Sequence, residues 1–513
     1  MKNSCLLILL IVVSLVSLPP AAAETPNIVL MMADDMGVGD TSAYQDWTGN
    51  PDDKQVQTPN MERLARLGVR FTDAHSPSSR CTATRYALLT GRYCWRTRLK
   101  YSVLFGPQRD PLIDPDRPTL ATLLKSAGYR TGMTGKWHVG LTYRDGSGTP
   151  AASYAEADLR RGIADGPLDH GFDFFHGTSR SHPTSAAQGW LAGDQVPAAT
   201  GPQAVDPSKY VLAQTGVKNF QAARQFLTEH MAGKESRQQP FFLYYACHSN
   251  HTRHTPCKQL AGIPVAGQGR PAGRRSDFIY ENDVVLGQLL KFLETEQDPR
   301  RPGSMLMENT LVIFTSDNGA ENTSKTATGP VRSNKGSVYE GGHRIPMIVA
   351  WQQGGVGDAD SSTPGRTSRF PVGLVDLFAS FAELVDVAAG KTGGEDSHSV
   401  LPVLRGEEPA GRPPLVHHDH KQGGDGGARD PRAAWLAIRV DNPVVDEVTI
   451  PGQWKLLVDD GLLREGKVQP RELYELKSDL AEMTNRIQEP ALAPLVKQLS
   501  EQIKQIHDDG RIH

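Results

Sequence analysis

Two stretches of this 513-residue chain share a design that few folds accommodate: a short uninterrupted apolar run, then oxygen-bearing side chains, then glycine. The first is Pro26-Asn27-Ile28-Val29-Leu30-Met31-Met32-Ala33-Asp34-Asp35-Met36-Gly37, and the second is Leu311-Val312-Ile313-Phe314-Thr315-Ser316-Asp317-Asn318-Gly319. An apolar run this short, bounded by Pro or Gly, reads as a strand buried on both faces, the habit of parallel strands covered by helices. Phe241-Phe242-Leu243-Tyr244-Tyr245-Ala246 is a third such run, and it ends in Cys247-His248-Ser249-Asn250-His251-Thr252-Arg253-His254. Side chains that follow these runs stand just past the carboxyl ends of strands, where open α/β sheets bind ligands. Adjacent carboxylates repel each other, so Asp34 and Asp35 call for a cation between them, unless one of them caps a following helix. Two such strand ends side by side would gather Asp34, Asp35, Asp317 and Asn318 at one point. Hard oxygen donors without a thiolate cage suit Ca²⁺, or Mg²⁺, better than zinc.

The segments between fit the same architecture. Thr58-Pro59 starts a helix and Gly68 stops it, with Met61, Leu64 and Leu67 on one face. Val69 to Ala74 reads as a strand, Thr119 to Ala127 as a helix ended by Gly128, and Tyr129 to Met133 as a strand leading into Gly135-Lys136-Trp137-His138-Val139-Gly140. Lys136 and His138 are two apart, so an extended segment would project both to the same side. Asp145 to Gly166 reads as a loop insertion, and the aromatic stretch His170 to Gly177 as packing beneath a site. Ser276 to Glu294 is an amphipathic helix, and Lys335 to Pro346 is a glycine-rich loop leading into a strand at Met347 to Trp351. Composition shifts at Ala388 to Glu395, a linker. Beyond it, Ala434 to Val440, Gln453 to Val458 and Glu472 to Glu475 read as a small antiparallel sheet, followed by a helix from Leu492 to Ile506 with one apolar stripe. The expectation is an α/β catalytic domain over residues 24–387 and a smaller C-terminal subdomain over 388–513.

A formal net charge of -3 leaves no excess of Lys and Arg for a phosphate backbone, which excludes a general nucleic-acid binder. Met1 to Ala23 has the form of a secretory signal: Lys2, the apolar run Leu6 to Leu18, then Ala21-Ala22-Ala23 as a small-residue cleavage site. That run is short for a membrane span and no later stretch would make one, so a secreted or periplasmic protein without a stable membrane anchor is expected. Cys5 falls in the signal, leaving Cys81, Cys94, Cys247 and Cys257. Cys247 and Cys257 are near enough in sequence to bridge a loop.

Cys81-Thr-Ala83-Thr-Arg85-Tyr-Ala-Leu-Leu-Thr-Gly91-Arg92 opens a short helix on a cysteine, with Arg85 one turn further on and Gly91 as its C-cap. A helix N-terminus lowers a thiol's pKa and favours anions. Arg80, Arg85, Arg92, Arg96, Arg98 and Lys100 cluster around this stretch in sequence, which suits a small anionic group. A lone cysteine is otherwise often small apolar filler. The Cys-x-Ala-x-Arg signature followed by Leu-Thr-Gly-Arg closely resembles that of the formylglycine-dependent sulfatases, with Ala83 standing where most of that family has Pro. The double Asp, Gly135 to Gly140, Asp317-Asn318-Gly319 and Lys335 to Pro346 follow in the family's order, from Pro26 to about Trp351.

The resemblance implies an alkaline-phosphatase-like α/β sandwich and the hydrolysis of sulfate esters, with Cys81 oxidised to an aldehyde by a formylglycine-generating maturation enzyme. It implies Ca²⁺ or Mg²⁺ held by Asp34, Asp35, Asp317, Asn318 and the modified Cys81. It also implies Arg85 anchoring the nucleophile, Lys136 and Lys335 on the sulfate oxygens, His138 as base, and His251, with His254 as rival, protonating the leaving alcohol. Ser181 is placed for a substrate-contacting hydroxyl. The substrate would be a sulfated small molecule or polysaccharide. Two other functions use the same residues. A phosphomonoesterase or phosphonate hydrolase of the same superfamily shares the metal site, and a sulfated-glycan-binding protein would leave Cys81 unmodified.

Overall fold

A computed structural model describes residues 25–100, 102–105, 111–181, 189–321, 324–387, 393–420 and 434–511. The signal read at Met1 to Ala23 and part of the linker read at Ala388 to Glu395 lie outside the described residues. In chain order the elements that position the site are β1 (Asn27–Ala33), α1 (Pro59–Leu67), β2 (Val69–Phe71), α2 (Cys81–Thr90), α3 (Leu120–Ser126), β3 (Arg130–Lys136), β4 (Phe174–Thr178), β5 (Leu191–Ala192), α4 (Thr215–Ala232), β6 (Phe241–Ala246), α5 (Arg274–Thr295), β7 (Thr310–Ser316), β8 (Met347–Ala350), β9 (Arg366–Ser368) and α6 (Leu377–Leu384). They are followed by β10 (Leu415–His420), β11 (Ala434–Asp441), β12 (Gln453–Asp459), β13 (Pro470–Glu475) and α7 (Ala493–Asp508).

The large sheet has the order β9-β2-β8-β7-β1-β6-β3-β4-β5. Its middle, β7-β1-β6-β3-β4, is parallel throughout, and β8 and β5 flank that block antiparallel. Strict alternation along β1 divides the core between the two faces of the sheet. Ile28, Leu30 and Met32 face a layer that holds α2, α3 and α6, while Val29, Met31 and Ala33 face α1, α4 and α5. Neither face meets water, which is why the sequence of this strand lacks the polar alternation of a half-exposed one.

The register levels the carboxyl ends of these strands. Ala33 stands beside Ser316, Met32 beside Ala246, and Ala246 beside Gly135. The residues that follow each strand therefore emerge along one edge. Gly135 has φ 102°, and a Cβ there would stand 1.8 Å from the Ala246 carbonyl oxygen, so only glycine lets β3 lie this close to β6 just before Lys136.

The second sheet is antiparallel, in the order β10-β11-β12-β13, and α7 covers one of its faces. That core is shared with the main body, because Ala87, Tyr93 and Trp95 pack into it beside Leu436, Leu456 and Leu499. A buried ionic layer joins the same two sheets. Asp73 accepts from Arg439 at 2.6 Å and lies 2.8 Å from Arg344, Glu340 accepts from Arg344 at 2.9 Å and from Lys455 at 3.0 Å, and Lys455 also lies 2.9 Å from Glu482. Buried charges of this kind persist only when paired. His75, His343 and His417 stack inside this layer.

The structure departs from the sequence expectations at several points. β3 runs on to Lys136. Glu340–His343 forms one helical turn where a loop was expected. The small sheet has a fourth strand, β10, that apolar periodicity misses because it carries His417, His418 and Asp419 on buried positions. The described cysteines are all free thiols, so Cys247 and Cys257 form no disulfide. Among the described residues no helix is long and apolar enough to cross a membrane.

Candidate active site

The levelled strand ends place Asp34 after β1, Asp317 after β7 and Lys136 at the end of β3. Cys81 opens α2, whose preceding residue Arg80 is extended and whose C-cap Gly91 takes a left-handed φ of 64°. Asp35 has φ 66°, a conformation that costs a non-glycine residue about 1 to 3 kcal/mol. The turn sends the two neighbouring carboxylates to different partners. Asp34 accepts from Lys136 Nζ at 2.7 and 2.9 Å, whereas Asp35 accepts from Lys335 Nζ at 2.7 Å and from Asn318 Nδ2 at 2.8 Å. Asp317 accepts from Arg85 Nη2 at 2.8 Å and from the Asp35 amide at 3.1 Å.

Three carboxylates thus face three cations in a space closed to water. The side-chain ligand atoms of Asp34, Asp35, Cys81 and Asp317 all lie within 4.8 Å of one another. Asn318 Oδ1 is buried with no partner among the described residues, on the amide whose Nδ2 donates to Asp35. Burial, and then the nearby Asp34 charge, raises the Asp317 carboxyl. Burial would raise Asp35 too, but Lys335, His251 and Lys136 hold it below the usual carboxylate range. Crowded hard oxygens, one orphaned amide oxygen and a carboxylate raised by its neighbour fit a bound divalent cation.

Cys81 Sγ lies 3.7 Å from Asp34 Oδ1. Its thiol is not lowered, as a helix N-terminus alone would suggest. Burial pushes it up well beyond its ordinary value, with Lys136 and Lys335 opposing. Arg85, one turn on, donates from Nη1 to the Lys136 carbonyl at 3.0 Å, and its Nε is a buried donor without a partner among the described residues. Of the cationic cluster read around Cys81, only Arg80 and Arg85 reach the site. Arg92 and Arg96 turn to Glu395 and Asp396, Arg98 donates to the Pro111 carbonyl, and Lys100 lies near Arg464 and Asp460.

A cavity of about 190 Å³ opens over this cluster, with Cys81, His138, Ser181, His251 and Lys335 in its wall. His138 does not continue the extended strand, as alternation with Lys136 required. It has φ 59°, donates from Nε2 to the Leu104 carbonyl at 3.3 Å, and leaves Nδ1 unpartnered among the described residues. Burial, then Lys136, Arg85 and Arg180, drives its pKa far down, so the ring is neutral with a lone pair on Nδ1. His251 Nε2 lies 3.5 Å from Ser181 Oγ and 3.9 Å from Asp35 Oδ2, and its Nδ1 donates to the Thr252 carbonyl. Burial and Lys335 hold its pKa near 4. His254 stands apart, 3.8 Å from Glu321, and His248 is tied to Thr178 and Asn219. Lys136 is fully buried behind Asp34 and is not part of the cavity wall.

Four wall residues drew no sequence argument of their own: Val103, Leu104, Phe105 and Arg180. Asp419 also escaped notice. It accepts from Arg80 Nε at 3.2 and 3.4 Å and belongs to β10, the unforeseen strand. Only the position of Arg80 next to Cys81 carried a signal.

The sequence model of the sulfatase family matches residues 26–387. The chain is similar to an N-acetylgalactosamine-6-O-sulfatase of Bacteroides thetaiotaomicron, 26% identical over 548 residues and covering 94% of each chain. It is also similar to arylsulfatase A of Bos taurus, 34% identical over 409 residues, or 75% of this chain and 69% of that one. Among solved structures, a Bacteroides thetaiotaomicron protein from the metabolism of multiple glycosaminoglycans aligns with a TM-score of 0.70 at 24% identity, covering 94% of this chain and 99% of that one.

Proposed function

The chain belongs to the sulfatase family and hydrolyses sulfate esters on an alkaline-phosphatase-like α/β fold; from that premise we propose that Cys81 is its matured nucleophile and the Asp34, Asp35 and Asp317 cluster its metal site. The observation that carries this reading is the convergence of those carboxylates with the Cys81 side chain, next to a small cavity that has Cys81 and Lys335 in its wall. After maturation residue 81 would carry an aldehyde, which as its hydrate would supply one oxygen as the nucleophile and a second hydroxyl for the release of sulfate. Asp34, Asp35, Asp317, Asn318 and the modified residue 81 would hold Ca²⁺, with Mg²⁺ the alternative, and the ion would supply charge neutralisation at the sulfate oxygens.

The remaining roles follow from where protons sit. Arg85 has a buried Nε–H without a partner among the described residues, a donor for an oxygen on residue 81. Lys335 on the cavity wall donates to sulfate oxygens, with Lys136 adding its charge from behind Asp34. His138, with its Nε2–H committed to Leu104, takes a proton at Nδ1 from the hydroxyl on residue 81. His251, whose Nδ1–H is committed to Thr252, delivers a proton from Nε2 to the ester oxygen. A bound sulfate monoester brings a negative charge beside that nitrogen and favours the protonated ring it needs. Ser181 Oγ, next to His251, contacts the leaving group.

The substrate we infer is a sulfated carbohydrate or an aryl sulfate, in keeping with what the named relatives act on. Residues 24–387 carry the reaction and 388–513 close one side of the site, after export and cleavage near Ala23. The test is the mass of the Cys81 peptide from protein secreted by its native host, together with sulfate release by the same preparation. An aldehyde mass with sulfate release supports the reading, and release by protein whose Cys81 is wholly unmodified overturns the nucleophile.

A further inference from the structure

Helix α5 carries a buried carboxylate that the reaction, as described so far, leaves without a role. Glu281 is 1% exposed and makes no ion pair among the described residues. It is held by neutral donors instead: Ser249 Oγ donates to its Oε1 at 3.2 Å, and the Cys257 amide donates to its Oε2 at 2.7 Å. Burying a carboxylate on neutral donors is costly. The neighbouring helix nevertheless leaves room for it, since a Cβ on Gly216 of α4 would stand 2.0 Å from Glu281 Oε1. The two donors bracket His251 in sequence, so a single carboxylate ties together both feet of the loop that leaves β6 and carries that histidine. Asn282, beside Glu281 in α5, donates from Nδ2 to the Ser249 carbonyl at 3.0 Å, and the same carbonyl accepts from the Asp34 amide at 2.9 Å. The Asn250 amide donates in turn to the Asp34 carbonyl at 2.7 Å. The first foot of the loop is thus stitched to Asp34, and Glu281 is the tie that reaches across to the second. Glu321 holds the crest, where it accepts from the Thr252 amide at 3.0 Å.

We propose that Glu281 is a positioning residue for proton transfer by His251: through Ser249 and Cys257 it closes the loop at its base and so keeps His251 Nε2 within reach of the leaving ester oxygen. This rests on the sulfatase reading and on His251 as the proton donor. A general acid is effective only within hydrogen-bond distance of the atom it protonates, and a displacement of about 1 Å, even one caused far from the chemistry, is enough to cost a large part of the rate. Glu281 touches neither the cavity nor His251. Its effect is therefore confined to where the loop stands.

The experiment is a double-mutant cycle on kcat for sulfate release, from aryl sulfates of graded phenol acidity and from a galactosamine monosulfate. Glu281→Met keeps the bulk of the side chain and removes both acceptors. Its kcat should fall about ten- to a hundredfold for the poorest leaving groups and by less than about threefold for para-nitrophenyl sulfate, because an acidic phenol needs little protonation to leave. KM should move little. Glu281→Gln should restore most of the rate: its carbonyl oxygen accepts from the Cys257 amide, and its amide nitrogen donates to the Ser249 hydroxyl, which accepts as readily as it donates. In a His251→Asn background Glu281→Met should cause no further loss, since both substitutions then remove the same contribution. Ser249→Ala leaves Cys257 its acceptor and should show the same leaving-group pattern at smaller size. It carries the test if Glu281→Met fails to fold. A loss equal for all leaving groups, or losses that multiply with that of His251→Asn, overturns the positioning role and leaves His251 as the donor. A His251→Asn variant whose loss does not depend on the leaving group overturns the donor and the positioning role together, while release by wild type upholds the sulfatase reading.

Discussion

Replacing Lys335 with Met should strengthen Ca²⁺ binding while weakening catalysis, and the opposite signs make it a sharp test of the site. Without a bound cation, both Asp35 oxygens are occupied: Oδ1 by Asn318 and Oδ2 by Lys335 at 2.7 Å, with the carboxylate fully buried. A cation that takes Asp35 as a ligand must compete with that ammonium. One charge-assisted hydrogen bond is worth about 1.5 to 3 kcal/mol, so its removal should raise Ca²⁺ affinity by roughly ten- to a hundredfold. The metal-free variant should be less stable, by about 3 to 5 kcal/mol, because a buried carboxylate has lost its counter-ion. Its stability should therefore depend far more steeply on Ca²⁺ than that of wild type. Turnover should fall by about a hundred- to a thousandfold, the usual loss when one preorganised donor to a developing anion is deleted. Calorimetric titration of chelator-stripped protein reads the affinity, and sulfate release at saturating Ca²⁺ reads the rate. Unchanged or weaker Ca²⁺ binding would refute the competition for Asp35, and an unchanged kcat would remove Lys335 from the sulfate.

His251→Asn should lower kcat by about a hundred- to ten-thousandfold, less for aryl sulfates with acidic phenols, whereas His254→Asn should stay within a few fold; the reverse ranking in a sulfate-release assay would reassign the proton donor. Cys81→Ala should abolish turnover with unfolding otherwise unchanged, and residual wild-type activity would sink covalent catalysis by residue 81. Asp317→Ala leaves Arg85 buried without its main partner, so metal content by emission spectroscopy and activity should fall together; full activity in metal-free protein would count against the cluster. Burial raises Asp283, which accepts from the amides of Asn60 and Met61, from 3.8 to about 7. The folded chain therefore binds this proton more tightly than the unfolded chain, and stability is lost as pH rises from about 4 to 7, by roughly 4 kcal/mol. Asp283→Asn should lack that slope, and urea unfolding at pH 5 and pH 8 with parallel losses in both proteins would refute it.

The parallel block was legible because its strands are buried on both faces, and unbroken apolar runs such as Ile28 to Ala33 and Leu311 to Phe314 have few other uses. The metal-site candidates were legible for a related reason. A strand end is the one place where a run of that kind can hand polar side chains to a site, and the register then makes Asp34 and Asp317 neighbours. What periodicity could not supply were the contributions whose meaning depends on a distant partner. His138 looked like an extended neighbour of Lys136, but its left-handed backbone turns it toward the Leu104 carbonyl, and that bond, absent from any local pattern, sets which nitrogen is basic. The arginines near Cys81 looked like one receptor for an anion. Most of them turn to acids and carbonyls elsewhere in the chain, and Arg80 too is paired, with Asp419 of β10, although it stays in the cavity wall beside Cys81.

β10 itself shows why the small sheet belongs to the argument about function. A strand that reads Leu-Val-His-His-Asp would be a poor core strand on its own. Its buried positions make sense only against the main body, where His417 stacks between His75 and His343, and Asp419 holds the residue that precedes Cys81. The ionic layer around Asp73, Glu340 and Lys455 contributes little net stability once desolvation is counted. It does fix one relative placement of the two sheets, since any other would leave several buried charges unpaired at once. The cavity wall at Arg80 therefore inherits its geometry from residues more than 300 positions away in sequence. Asp419→Ala, deep in the C-terminal sheet, should consequently slow sulfate release by loosening the wall beside Cys81, and an unchanged kcat/KM would refute that coupling.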